Sequence, residues 1–239
     1  MRNKLFYHFY IPDNPSNWEL LLYEQLDCIE SSQLHHQCKL EICVSSNESN
    51  FNKLKNCIRY YPVLNLKISW FDTSIEKNKN HFEGTTLSKL HDECCFYENV
   101  GYINSISITT ITKYTNKWRK ALEHAVIEKY QDNLKALNNN YDVSGILWKE
   151  TDRWFCGNFW WAKSSYIQTL PKPVIDHWSE CNGSFWESRY RYEAWIGIKN
   201  PRVNEIYSSN ISSLGVSIYY YDFDIKRKST LKFNNKLSY

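Results

Sequence analysis

Short apolar runs recur along this chain, and segments with apolar residues at helical spacing stand between several of them. Residues 5–11, 40–44, 64–71, 100–103, 143–148 and 159–162 each read as a strand. Pro12, Asp13, Asn14 and Pro15 break the first run, and Ser16 with Glu19 then forms a capping-box pattern. Trp18, Leu21, Leu22, Leu26 and Ile29 follow on one helical stripe. Leu87, Leu90 and Cys94 share a face within a helix predicted over 85–95. Apolar residues from Trp118 through Leu122, Val126 and Leu134 to Leu137 predict one long amphipathic helix, which Asn138, Asn139 and Asn140 end. This alternation predicts an α/β sheet with helices on both faces. In such sheets ligands bind outside the carboxyl ends of the strands.

A chain of 239 residues can form one domain with a substantial core. The predicted domain covers 1–210. Residues 211–239, Ser-rich and then carrying Tyr219–Tyr220–Tyr221 and Lys226–Arg227–Lys228, read as a C-terminal extension. With 29 basic and 26 acidic residues and no long basic block, the chain does not read as a nucleic-acid partner. Eight cysteines occur without a C-x-x-C pair, and residues 1–10 read as a strand rather than a signal peptide. Reduced thiols acting as small apolar residues, in a cytoplasmic setting, are expected. No run of 18 apolar residues is present, so no transmembrane segment is expected.

The densest chemistry lies at Phe155-Cys156-Gly157-Asn158-Phe159-Trp160-Trp161-Ala162-Lys163. Gly157 has no Cβ and allows a ligand to approach the backbone. Asn158 offers both a donor and an acceptor. The aromatic rings suit either a core or the face of a sugar; aromatics make up 16% of residues, so most must serve the core. Downstream, Glu193 stands between Tyr192 and Trp195, where a carboxylate is suited to acid/base work. The plainer reading pairs Glu193 with Arg189 or Arg191. Glu187 and Asp152 are weaker candidates that read as surface charge, and His35–His36 reads as a solvated helix end.

These residues resemble the small GT-A-type glycosyltransferases of bacterial surface-polysaccharide clusters and large DNA viruses. Their hallmark is close to F-S-G-N-F-W-W-A-x-x-x-Y-I-x-x-L, followed by an R-Y-E-A-E-x-W-I-like segment. Here 155–170 reads F-C-G-N-F-W-W-A-K-S-S-Y-I-Q-T-L, with Cys156 in place of Ser, and 191–196 reads R-Y-E-A-W-I. The likeness extends upstream through Tyr7–His8, Asn17–Trp18, the E-x-x-T-L of Glu83 to Leu87, Trp118–Arg119, and the Y-D-x-x-G-x-x-W of Tyr141 to Trp148. It spans roughly residues 4 to 200. One departure falls at the end of the fourth strand. There the family form Y-x-H-T-K-G is replaced by Tyr102-Ile103-Asn104-Ser105-Ile106-Ser107. Trp154 also stands where the family often has His.

The resemblance implies a GT-A-like nucleotide-diphospho-sugar transferase fold, a mixed central sheet flanked by helices. It implies transfer of a sugar from a nucleotide-sugar donor to a glycan or other hydroxyl acceptor. On this reading Glu193 is the catalytic base, and Tyr7, His8, Thr86, Asn104, Ser105, Gly157 and Asn158 bind the donor. Trp160, Trp161 and Trp195 stack on acceptor or sugar. Simpler roles stay open: Tyr7 packing inward, His8 as a strand residue, Thr86 as an ordinary helix cap. A divalent Mn or Mg ion is compatible with the fold, but the one Asp-x-Asp spacing, Asp222-Phe223-Asp224, lies in the tail and reads as surface charge. The departure at Asn104 leaves a second class open, a catalytically degenerate nucleotide-sugar or glycan-binding protein that retains the fold. A structural protein of a glycosylation complex is a third.

Overall fold

The computed structural model describes residues 1–13, 17–75, 83–106, 113–173 and 191–207. Ser16, Ser107, Cys181, Glu187, Arg189, the Asp222-Phe223-Asp224 triplet and the extension 211–239 lie outside them.

Strand β1 (Asn3–Tyr10) is central, and its residues 4–9 are all buried. Leu5, Tyr7 and Phe9 enter one apolar cluster and Phe6 the other, so both faces are covered. That is why the run lacks the alternation of a half-exposed strand. β1 pairs in parallel with β2 (Cys38–Ser46) and β4 (Asn99–Asn104), and β2 pairs in parallel with β3 (Lys67–Asp72). After β5 (Val143–Gly145) the chain makes a two-stranded hairpin, β6 (Trp148–Lys149) and β7 (Trp154–Phe155). β8 (Trp160–Lys163) then returns antiparallel to both β4 and β5, and β9 (Val203–Glu205) lies parallel to β5. The sheet has seven strands in the order β3-β2-β1-β4-β8-β5-β9. It is the mixed sheet flanked by helices expected of a GT-A-like fold.

Helices α1 (Trp18–Ser31), α2 (Glu48–Ile58), α4 (Lys113–Glu123) and α5 (Tyr130–Asn138) cover the Leu5 face, through Leu22, Leu54, Leu122 and Leu137. Helix α3 (Gly84–Glu93) and the short α6 (Ser164–Ile167) cover the Phe6 face, through Leu87, Leu90 and Ile167. α3 is also tied to the sheet electrostatically. Lys4 is 2% exposed, contacts Glu41 at 2.5 Å and reaches Glu93, while Lys89 lies 2.6 Å from Glu93. Burial acts to lower the Lys4 pKa, but hydrogen bonds and attraction from Glu41 and Glu93 outweigh it and hold the ammonium charged. Removing Glu41 would leave the buried Lys4 charge with Glu93 alone.

Several local expectations are corrected. The first helix takes Asn17, in the left-handed region, as its N-cap. The third strand starts at Lys67 because Pro62–Leu64 forms a 3-10 turn that ends on left-handed Asn65. The strand expected over 143–148 ends at Gly145, since Leu147 has φ 62° and turns the chain into the β6–β7 hairpin. α2 is an addition to the predicted elements; its signal is the Asn47 side chain accepting from Asn50 N at 2.9 Å, followed by apolar Leu54 and Cys57.

The long helix does end at Asn138, but it is divided. His124–Glu128 is a π-helical turn in which Lys129 N donates to His124 O at 2.9 Å. The displaced carbonyls take side-chain donors. Asn133 Nδ2 donates to Ala125 O at 2.7 Å, and Trp161 Nε1 donates to Val126 O at 2.9 Å. The described cysteines are all unbridged, and burial pushes the Cys38 and Cys43 thiols up to about 12. Among the described residues no helix is long and apolar enough to cross a membrane.

Candidate functional site

Parallel pairing in register His8↔Asn104 brings the carboxyl ends of β1 and β4 side by side. The first turn of α3 meets them there. Thr86 Oγ1 lies 2.8 Å from His8 Nδ1, and the two exchange one hydrogen bond whose direction follows the imidazole tautomer. Both are buried, His8 at 3% exposure, and burial pushes its pKa down to about 3. The ring is neutral at physiological pH.

Glu83, the N-cap of α3, reaches across to β4 and to the Gly157–Asn158 turn. Asn104 Nδ2 donates to Glu83 Oε1 at 3.2 Å and to Gly157 O at 3.0 Å. Asn158 Nδ2 donates to the other oxygen, Glu83 Oε2. Asn158 Oδ1 accepts from Trp160 Nε1 at 2.7 Å, and Asn158 N donates to Phe155 O at 2.8 Å. The turn requires φ 89° at Gly157 and φ 55° at Asn158. Gly and Asn are the residues that adopt left-handed backbone most readily.

Ser105 continues the edge. Its N–H donates to His8 O and its Oγ accepts from Tyr10 N, both at 3.0 Å. Behind the edge, Gln25 of α1 donates to Asn104 O at 3.2 Å and accepts from the Tyr7 hydroxyl. The Tyr102 phenol is fully buried. Burial, reinforced by the negative charge of Glu83 and a hydrogen bond to its carboxylate, and more weakly by Glu193, pushes its pKa far up. Glu193, 7% exposed on the helical residues 191–194, lies near enough for its charge to act on Tyr102. Tyr192 packs beside it onto α3, where a Cβ on Gly84 would stand 2.5 Å from the ring.

Thus His8, Thr86, Asn104, Ser105, Gly157 and Asn158 come together, with Glu193 acting on Tyr102 through its charge, and several assigned roles change. The space a Gly157 Cβ would fill holds Leu122 at 2.6 Å and Trp118 at 3.0 Å, so the close approach there is made by α4 and not by an external ligand. Tyr7 packs inward toward α1. Trp160 and Trp161 are fully enclosed: Trp160 stacks on Tyr102 at 5.4 Å, and Trp161 sits under the π turn. Trp195 is 3% exposed and donates to Pro171 O at 2.8 Å. These indoles fill the core instead of presenting a sugar-stacking wall. Asp152 is a surface charge paired with Lys149, as its plainer reading holds. Sequence reasoning assigns no role to Glu83 or Gln25. The signal for Gln25 is a polar residue on the apolar stripe between Leu22 and Leu26.

Glu83 and Glu193 are the carboxylates at this edge, and each Glu83 oxygen already accepts an amide hydrogen. Among the described residues no group of three or more His, Cys, Asp or Glu side chains could hold a metal ion. Among the described residues, these two carboxylates do not make a divalent-cation site.

Among solved structures, the chain is similar to S. aureus TarS 1–349, with 13% identity and TM-score 0.46 over 86% of this chain and 58% of that one. It is also similar to the 4-diphosphocytidyl-2C-methyl-D-erythritol synthase of Anaerococcus prevotii, with 10% identity and TM-score 0.43 over 88% of this chain and 91% of the other. The chain spans little more than half of the TarS fragment. No curated protein matches it. A family model does match, over residues 6–179, which run from within β1 through β8 and hold the residues of the polar edge except Glu193. The chain belongs to that family, described as a domain of unknown function, DUF8361.

Proposed function

We propose that this protein is a glycosyltransferase that moves a sugar from a nucleotide-sugar donor to a glycan or other hydroxyl acceptor. The observation that carries the reading is a convergence. Three segments that resemble one transferase family on sequence grounds, the Tyr-His of β1, the Glu-x-x-Thr of α3 and the Gly-Asn turn, meet in buried hydrogen bonds around the end of β4, the stretch where the chain departs from that family. A network of polar side chains at the carboxyl ends of parallel strands is where an α/β sheet takes its ligand.

The donor lies along this edge, with Thr86, Ser105 and the backbone around Asn158 nearest to it, and His8, Asn104 and Tyr7 supporting from beneath. Glu193 removes the proton of the acceptor hydroxyl as its oxygen bonds to the anomeric carbon and the nucleoside diphosphate leaves.

The test is a thermal-shift screen of nucleotide sugars, with and without Mn²⁺ or Mg²⁺, followed by a transfer assay with any ligand found. A selective donor raises the melting temperature by mass action. Silence across the screen would overturn the reading. Binding without turnover over a broad acceptor panel would favour the degenerate binder, toward which the replacement of a titratable His by Asn104 already points.

A further inference from the structure

Glu83 is the hub of the polar edge. It stands at the N-terminus of α3, where the helix dipole and the free N–H groups favour a negative charge. Both of its oxygens accept amide hydrogens, one from Asn104 at 3.2 Å and one from Asn158. A donor on each oxygen suits an ionised carboxylate, which can only accept. The amides it binds are themselves committed. The second Asn104 hydrogen goes to Gly157 O at 3.0 Å, and Asn158 Oδ1 is held by Trp160 Nε1 at 2.7 Å. Glu83 therefore fixes both amide orientations. It also clamps two consecutive left-handed residues, Gly157 and Asn158, against the end of β4.

Three residues further on, Thr86 holds His8 at the end of β1. The first turn of α3 thus closes both strand ends and the turn into one unit. The far end of α3 is tied to the sheet by Lys4 and Glu93, so the hub has a fixed base.

We infer that Glu83 is the positioning residue of the proposed donor site, acting through Asn104 and Asn158 to hold the Gly157–Asn158 turn in its binding shape. The inference rests on the transferase reading above. It separates Glu83 from Glu193: the first sets donor affinity and the second sets turnover.

The hydrogen-bond pattern supplies its own test. In Glu83→Gln one acceptor becomes an NH₂ group facing an amide donor, so one of the two Asn side chains loses its partner. Adding Asn158→Asp restores the match. The introduced amide would accept from Asn104 and donate to the introduced carboxylate, which still accepts from Trp160. The double variant keeps the charge and the two contacts between residue 83 and residues 104 and 158, and moves the carboxylate by one partner.

Isothermal titration of UDP-glucose, UDP-galactose and GDP-mannose into full-length parent, single and double variants reads the effect, with circular dichroism confirming that each is folded. The single variant is expected to lose about tenfold or more in affinity for whichever donor the parent binds, and the double variant to regain most of it. Equal binding by parent and single variant would overturn the inference while leaving the donor site in place. A double variant no better than the single would also overturn it, since Glu83 would then act through its own charge. A parent that binds none of the three removes the inference together with the transferase reading for these donors. If the single variant fails to fold, the comparison passes to Glu83→Asp, whose shorter reach is expected to lower affinity with the charge retained. Unchanged affinity in that variant overturns the proposal.

Discussion

His8 and Thr86 join the end of β1 to the first turn of α3 through a 2.8 Å contact in a fully buried setting. Burial lowers the imidazole pKa from 6.5 to about 3. In the unfolded chain the same ring titrates near its ordinary value.

The sign of the pH effect follows. Between the two values the unfolded state binds a proton that the folded state does not, so stability rises with pH. The contribution of His8 is complete above about pH 6.5 and is lost as pH falls toward 3. The slope is about 1.4 kcal/mol per pH unit at most. Glu93, whose hydrogen bonds and charge partners outweigh burial and lower its pKa to about 2, loses its contribution only below its ordinary 4.5. The window from 6.5 to 4.5 therefore separates His8 from Glu93, while Glu205, whose carboxyl burial pushes above 4.5, acts there with the opposite sign in both proteins. Urea titrations across it should show parent stability falling relative to that of His8→Gln. Parallel curves for the two proteins would refute the assignment.

Gly157 is the second test. An alanine there meets φ 89° and the Leu122 side chain at 2.6 Å. The expected cost is roughly 1–3 kcal/mol from backbone strain and overpacking together. Leu122→Ala in the same chain relieves the overlap but not the strain, so the cost of Gly157→Ala should shrink without vanishing. Its size in each background is read from urea midpoints. If Gly157→Ala costs nothing in the parent, the turn is not held as described. A loss of ligand binding in Gly157 variants would not locate the ligand, because the residue contacts α4.

A third prediction concerns the π turn. Trp161 Nε1 satisfies Val126 O, and Asn133 Nδ2 satisfies Ala125 O. Trp161→Phe removes the donor and leaves a small void, with an expected loss of about 2–4 kcal/mol. Because both donors stabilise one irregular turn, Trp161→Phe and Asn133→Ala should be coupled by about 0.5 kcal/mol or more in a double-mutant cycle. Additive losses would show that the turn does not depend on these donors jointly.

The apolar runs made the sheet legible, since a central strand buried on both faces needs an unbroken run such as 4–9. The breaks were less legible. Ala125 and Val126 keep helical apolar spacing through the π turn, so its i→i+5 bond leaves no mark in the pattern. Leu147 carries a positive φ that no propensity announces. Trp160 and Trp161 were ambiguous for a physical reason: a large aromatic is equally at home in a core and against a sugar, and only burial separates the two. The residues that meet at this edge were legible through motif likeness, whereas the contacts of Glu83 became visible only when the fold brought the ends of three segments together. Sequence spacing carries no sign of the amides it would bind.

The last prediction is catalytic. Glu193 is 7% exposed and close enough to Tyr102 for its charge to help raise that phenol's pKa, after burial and Glu83. Its segment is braced on several sides. Tyr192 packs on Gly84, Trp195 Nε1 donates to Pro171 O at 2.8 Å, and Ile196 O accepts from the Tyr166 hydroxyl at 2.7 Å. A segment braced in this way needs little reorganisation to present its carboxylate to a proton, which is what a general base requires. Glu193→Gln keeps the shape and removes the proton-accepting power. Once a donor and acceptor pair is found, turnover by this variant should fall by ~10²–10⁴-fold. Donor affinity should stay within about threefold of the parent, because an interaction made mainly in the transition state lowers kcat without weakening ground-state binding. Steady-state kinetics beside calorimetric affinity separate the two quantities. Near-parent turnover would remove Glu193 as the base, and lost donor affinity would reassign it to binding.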